Sequence, residues 1–294
     1  MKLGYPCINR RIGCTANSTF RLSSYSDAML IRKVDNNLTC LHRILEYNVS
    51  HNLLFFRISS DLIPFAGHPI CRFNWKAHFK TQFMALGTYI KTHNIRISMH
   101  PDQFVVINST REDIVKKSVD ELKWHCEVLD LMELDDTAKV QIHVGGVYGD
   151  RKSAVERFVK NYNRLPDLIK RRLVIENDER LYSLRDCILI SKQIDIPVIF
   201  DSFHHSCLNN NETPLAALTE AATTWRTQDG VLMTDYSSQQ PNSRPGRHAE
   251  HLDIEHFRDY INDTIGNDFD IMLEIKDKEA SALKAIQLIG EQKP

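Results

Sequence analysis

Leu173-Val174-Ile175-Glu176, followed at once by the polar Asn177-Asp178, is an apolar run too short for a helix and closed by a carboxylate. The same pattern recurs in both directions along the chain. Toward the N-terminus lie Val140 to Val144 around His143, Ile95 to Met99 followed by His100, Leu53 to Ile58, and Leu3-Gly4-Tyr5. Toward the C-terminus lie Val198 to Phe200 followed by Asp201, Val231 to Met233 shortly before Asp235, and Ile271 to Leu273 followed by Glu274. Val, Ile, Leu and Phe fall at successive positions of these runs, as expected of strands buried on both faces. Amphipathic stretches separate them. One is Phe79, Phe83, Leu86 and Ile90 at helical spacing; another is Leu38, Leu41 and Leu45, with Asp35 read as its N-cap. Eight strand signals alternating with eight helix signals predict an α/β chain, a single (β/α)8 TIM barrel with its active site at the C-terminal face of the strands. An open doubly wound sheet is the competitor, but it calls for a Gly-rich phosphate turn after the first strand, and the sequence has none.

Loop lengths support the barrel and orient it. Segments entering a strand are short, as in Asp195-Ile196-Pro197 and Gln228-Asp229-Gly230, whereas Ser59 to Trp75, Ser202 to Pro214 and Tyr236 to His251 leave their strands as long polar loops. In a barrel the long loops all emerge on the face that carries the chemistry. Low-complexity tracts, repeats and linkers are absent, so residues 1–294 are read as one domain. With 42% hydrophobic and 26% charged residues the chain has the mix of a folded globular protein, and no apolar run approaches the roughly 20 residues of a membrane span. The N-terminus lacks the apolar stretch of a secretory signal, and seven cysteines without a C-x-x-C pair point to reduced thiols in a cytoplasm. A formal net charge of -1 excludes a globally basic nucleic-acid coat but not a local basic groove. Arg10, Arg11, Arg21, Arg72, Lys76, Arg244 and Arg247 all fall in long loops on the expected active face, where they form either a phosphate-binding rim or merely solvated charges.

Six consecutive strands finish in a residue able to ligate a metal: His100, His143, Glu176, Asp201, Asp235 and Glu274. Any one of them could be a satisfied polar group or the N-cap of the next helix. Taken together, four carboxylates at one barrel mouth repel each other and lose hydration unless cations neutralise them. Imidazole and carboxylate donors suit Mn, Zn or Fe(II). Further candidates among the 13 histidines are His68, His204, three residues after Asp201, and His248. His42, His78, His93, His125 and His256 fall in the helix patterns and are read as surface or packing residues; His51 and His251 are left open.

At these residues the chain resembles the UV damage endonuclease family, relatives of the endonuclease IV and sugar-isomerase barrels. The matching stretches include Leu3-Gly4-Tyr5-Pro6-Cys7, Arg57-Ile58-Ser59-Ser60-Asp61-Leu62, Met99-His100-Pro101-Asp102-Gln103-Phe104, Gln141-Ile142-His143-Val144-Gly145-Gly146, Phe200-Asp201-Ser202-Phe203-His204-His205 and Leu273-Glu274-Ile275-Lys276. The resemblance implies incision of duplex DNA immediately 5′ to UV photoproducts, and to other lesions as well, by a cluster of two or three Mn2+ ions, with Mg2+ or Zn2+ as alternatives. It implies that His100, His143 and Glu176 hold a first ion, and Glu176, Asp201, Glu274 and Asp235 a second. His204 and His248 would hold a third. Glu176 is thereby catalytic, with Tyr5 and His68 near the scissile phosphate. Gln103 and Phe104 would fill the gap left by an extruded lesion, and Arg10, Arg72 and Arg247 would contact DNA. Phe104 has a plainer reading, packing with Val105 and Val106 beneath its own loop.

Two departures stand on the seventh strand. Where the family has Lys-x-His before Tyr-Ser-Ser-Gln, this chain reads Met233-Thr234-Asp235 before Tyr236-Ser237-Ser238-Gln239. Met233 cannot be carboxylated as that lysine can, and Asp235 would replace an imidazole by a hard oxygen donor favouring Mn or Mg over Zn. The expected partner is damaged double-stranded DNA, with no membrane and a monomeric state. An abasic-site endonuclease of the endonuclease IV type, a non-cleaving lesion-binding protein and a metal-dependent sugar isomerase remain as alternatives.

Overall fold

The computed structural model describes Met1–Glu291; residues 292–294 of the predicted single domain lie outside the described residues. Eight parallel strands close into a barrel in chain order: β1 (Leu3–Pro6), β2 (Phe55–Ile58), β3 (Arg96–Met99), β4 (Lys139–His143), β5 (Leu173–Glu176), β6 (Val198–Asp201), β7 (Leu232–Tyr236) and β8 (Phe269–Leu273). Closure is made by β1 on β8, with Leu3 opposite Ile271. Each strand is followed by one principal helix: α1 (Asp27–Ser50), α2 (Lys80–Thr92), α3 (Glu112–Leu131), α4 (Arg151–Asn163), α5 (Leu184–Ile194), α6 (Pro214–Ala222), α7 (Ile254–Asp263) and α8 (Glu279–Glu291). The predicted TIM barrel is therefore the observed fold. No helix among the described residues is long and apolar enough to cross a membrane.

Alternation along the strands separates two apolar environments. Leu3, Tyr5, Phe56, Ile58, Ile97, Met99, Val140, Ile142, Leu173 and Ile175 face outward and join the helices in one continuous core. Phe55, Val174, Ile199, Met233 and Met272 face inward and form a separate layer inside the barrel. Toward the N-terminal end the inward positions turn charged: Arg96 Nη1 donates to Asp270 at 2.9 Å, and Lys139 donates to the Arg171 carbonyl at 2.9 Å and pairs with Asp229. Each charge buried there meets an opposite charge, which limits the desolvation cost.

The first helix starts earlier than its sequence pattern suggested. Ser26, not Asp35, is the N-cap, accepting from Met29 N at 3.2 Å, and Asp35 lies well inside α1 with its carboxylate accepting from Gln82 Nε2 at 2.7 Å. Leu30 and Val34 extend the apolar stripe backward to meet the barrel, so packing sets the helix start. Buried Asn37 on α1 donates to the carbonyls of Ser18, Asp61 and Leu62, pinning the loops after β1 and β2. The cysteine expectation is also corrected. Cys14 in the β1 loop and Cys40 on α1 form a disulfide with Cα atoms 5.9 Å apart, while Cys7, Cys71, Cys126, Cys187 and Cys207 are free. The loop folds back along α1, and this return brings together two residues 26 apart in sequence.

Gly4 shows how tightly β1 is seated. It pairs with Phe55, and a Cβ at position 4 would stand 1.5 Å from the Phe55 carbonyl oxygen, a backbone atom that no rotamer change can move. Gly4→Ala is expected to destabilise the fold by about 3 kcal/mol or to prevent folding. Urea unfolding followed by circular dichroism measures this, and an unchanged midpoint would mean that β1 and β2 can part freely.

Candidate metal centre

The period of two that buries the inner apolar layer also builds the site above it. Two residues beyond Phe55, Val174, Ile199, Met233 and Met272 stand Arg57, Glu176, Asp201, Asp235 and Glu274. Each must point the same way as its apolar predecessor, into the barrel mouth. Gln141 and His143 follow Lys139 on β4 by the same rule, and His100 continues the inward face of β3.

Glu176 lies at the middle, 1% exposed. Its Oε2 is 3.5 Å from His100 Nε2, and its Oε1 is 3.3 Å from His204 Nδ1. The His143 ring centre lies 5.4 Å from that of His100 and 5.7 Å from that of His204. Two groups have donor atoms within 4.8 Å of one another: His100, His143 and Glu176, and Glu176, Asp201 and His204. His248 adds a ring 5.8 Å from His204, with its Nδ1 3.8 Å from Glu274 Oε2. All of them but Asp201 border a cavity of about 390 Å3 that Gln103, Glu179, Arg180 and Arg244 also line.

The donor set fits a divalent ion. A carbonyl only accepts, so His100 Nδ1 donates to the Pro101 carbonyl at 2.7 Å and His248 Nδ1 donates to the Glu274 carbonyl at 3.0 Å. Each ring, when neutral, thus leaves its Nε2 lone pair for an ion, the arrangement that orients imidazole ligands in metal sites. His143 Nδ1 is buried with no hydrogen-bond partner among the described residues, a state that a ligand would relieve. Charge points the same way. Burial works against ionised Glu176, but the imidazoles of His143, His100 and His204 outweigh it and hold its carboxyl well below the usual range. Burial pushes the Asp201 carboxyl well above its usual range, although His204 opposes the shift. Asp201 also confirms the plainer reading of a strand-end acid: its Oδ1 accepts from His204 N at 2.8 Å, capping the short helix Ser202–Cys207, while Oδ2 stays 3.1 Å from His204 Nδ1.

Asp235 stands elsewhere in this network. It is fully buried, and Arg57 Nη2 donates to its Oδ1 at 2.7 Å and Oδ2 at 2.8 Å, with Gln141 Nε2 donating to Oδ2 at 2.7 Å. Asp235, expected as an ion ligand, is thus held in a salt bridge and belongs to neither of the two groups of close donors. Tyr5 needs correction too. It faces outward between β1 and α1, 0% exposed, its hydroxyl donating to Asn48 Oδ1 at 2.7 Å and accepting from Asn9 Nδ2 at 2.8 Å, so it has no surface for a phosphate. His68 is exposed in the β2 loop, its Nδ1 accepting from Ile70 N at 3.1 Å, and it lines neither cavity at the mouth.

The loop after β3 presents Gln103 to the cavity and leaves Phe104 58% exposed, while Val105 is 4% exposed. Packing of Phe104 beneath the loop is therefore not what the structure has. Arg10, Arg72 and Arg247 are exposed, as expected of a rim, and Lys76 is drawn to Glu127 at 3.0 Å. Arg57, Gln141, Glu179 and Arg180 are site residues that sequence reasoning missed. For Arg57 and Gln141 the available signal was parity, since each stands an even number of residues from an inward neighbour on its own strand. Glu179 and Arg180 are presented by a turn in which Asp178 accepts from the backbone N–H groups of Arg180, Leu181 and Tyr182.

Comparison with known proteins gives a consistent result. The family described as UV-endonuclease UvdE matches residues 1–293. A UV DNA damage endonuclease of Clostridium perfringens is 40% identical over 293 residues, covering 99% of this chain and 71% of that protein. The crystal structure of SacUVDE superposes with a TM-score of 0.95 at 45% identity, covering 99% and 98% of the two chains. Endonuclease IV from Thermus thermophilus, at 17% identity and a TM-score of 0.58 over 85% of this chain and 94% of its own, shares the fold alone. The coverage runs through every strand that contributes a side chain to the mouth, and the chain belongs to the UV-endonuclease UvdE family of endonucleases.

Proposed function

We propose that this chain is a metal-dependent DNA repair endonuclease that hydrolyses the phosphodiester immediately 5′ to UV photoproducts in duplex DNA. The observation that carries the reading is Glu176, a buried carboxylate shared by two groups of metal-capable donors at the mouth of the barrel. Divalent ions of the Mn2+ kind, held by Glu176 with His100 and His143 on one side and Asp201 and His204 on the other, would neutralise phosphate charge and acidify attacking water. Mg2+ and Zn2+ are the alternatives for this mixed donor set. Glu274 and His248 flank the same space and add one more carboxylate and one more imidazole to its wall.

The chain itself supplies placement. Gln141 Nε2 donates to Glu176 Oε2 at 2.8 Å and so holds the shared carboxylate in one orientation. A photodimer stacks poorly and is cheaper to extrude than an intact dinucleotide. Phe104, 58% exposed and next in sequence to the cavity-lining Gln103, serves as the wedge that fills the gap, with Gln103 reading the exposed base edges. Arg244 and Arg180 at the cavity wall, with Arg10, Arg72 and Arg247 beyond it, hold the backbone. His68 is assigned to the same rim. An exposed wedge has no use in a small-sugar pocket, which weighs against an isomerase.

Irradiated and intact supercoiled plasmid, incubated with Mn2+ and with a chelator control, test this reading. Nicking confined to irradiated plasmid is expected; a mobility shift without nicking would make the chain a lesion binder, and cutting confined to abasic sites would make it an abasic endonuclease. Glu176→Gln is expected to lower incision by about a hundredfold to a thousandfold while leaving DNA binding largely intact. Retained cutting would remove Glu176 from the mechanism. Phe104→Ala should lower the preference for irradiated over intact duplex by about tenfold, measured by competition binding, and an unchanged preference would end the wedge assignment. Five rim contacts predict that binding weakens by about two to three orders of magnitude between 50 and 200 mM salt; a flat response would mean that these arginines are only solvated.

A further inference from the structure

The Arg57 side chain is 4% exposed at the mouth, an unusual place for a guanidinium. Its Nη1 donates to Glu274 Oε1, and its Nη2 donates to Asp235 and, at 2.8 Å, to Gln141 Oε1. Burial opposes this charge, but the carboxylates of Asp235, Glu274 and Glu176 outweigh burial and hold the group cationic. Below Asp235 the wall is apolar, with Met233 packed in the inner layer beside Phe55. Asp235 is therefore held by Arg57 and Gln141, with the carboxylates of Glu274 and Glu176 acting on it through space. Both groups of donors close enough to share an ion omit it.

We propose that Arg57 is the resident cation of the β2–β7–β8 side of the mouth, so that the centre takes two divalent ions, both sharing Glu176, with Asp235 as counter-ion to Arg57 rather than a ligand. The inference rests on the reading of the mouth as a metal centre. A guanidinium is a fixed planar cation with five donors, able to span two carboxylates and an amide at once, and it repels a divalent ion placed beside it. Arg57 also acts at a distance through Gln141, whose Oε1 it holds and whose Nε2 donates to Glu176. It is a positioning residue for the shared carboxylate. Met233 and Asp235, the two departures on β7, then act together: Asp235 gives Arg57 a counter-ion, and Met233 gives the pair an apolar floor.

Metal analysis after Mn2+ loading and desalting, with electron paramagnetic resonance to detect exchange-coupled Mn2+, tests the proposal on the full chain. The unaltered protein should carry two ions per chain with a coupled signal. No bound ion would overturn the metal-centre reading itself, whereas one ion or three would overturn only the proposal. Asp235→Asn, which keeps the size of the side chain and can still accept hydrogen bonds, should still carry two ions with affinity within threefold; loss of one ion would make Asp235 a ligand after all. Arg57→Gln should raise the count toward three by freeing Asp235 and Glu274, a gain that a merely structural role does not produce. A count that stays at two in this variant would also overturn the proposal.

Discussion

Four carboxylates, Glu176, Asp201, Asp235 and Glu274, converge at one end of the barrel, and their mutual repulsion in a site removed from water is the constraint on which the rest of the mouth depends. Arg57 meets two of them directly, and Gln141 ties the pair to Glu176. The imidazoles of His100, His143 and His204 crowd around the remaining charge. The supporting side chains come from β2, from β4, from just beyond β3 and from the short helix after β6, so the site exists only when the barrel is closed.

The barrel interior is organised in layers that follow from strand alternation. Arg96 with Asp270 and Lys139 with Asp229 form a charged floor; Phe55, Val174, Ile199, Met233 and Met272 form an apolar middle; the carboxylate mouth lies above. The apolar layer separates two ionic ones and keeps water from linking them, so charges at each end must be neutralised locally. Function is thereby confined to one end. The long loops after β3, β5 and β7 bring Gln103, Arg180, Arg244 and His248 over that end, while α1 braces the neighbouring loops through Asn37 and the Cys14–Cys40 bridge.

Much of this was legible in local sequence. Short apolar runs mark the eight strands, and a closing His, Glu or Asp marks the ends of six of them, because both facts rest on a two-residue period and on the cost of burying polar groups. Helix starts were less legible: Leu30 and Val34 look like a loop's apolar residues until α1 is packed on the barrel. Tyr5 was misplaced because a strand-end tyrosine can face either layer, and its parity with Leu3 puts it in the outer core. The Cys14–Cys40 bridge depends on how a loop returns along a helix, which spacing does not encode. The net charge of -1 likewise says little about the mouth, where local pairing and any bound cation set the field.

By itself the sequence determined the number and order of strands and the chemistry at their C-terminal ends, because covalent periodicity and burial act over a few residues. Only the tertiary structure decided which opposite charges those groups meet. Arg57 reaches Asp235 and Glu274 across separations of 178 and 217 residues, contacts that barrel closure creates and no local pattern announces. That closure makes Asp235 the partner of a buried arginine, because a buried charge takes the nearest opposite charge that its geometry allows.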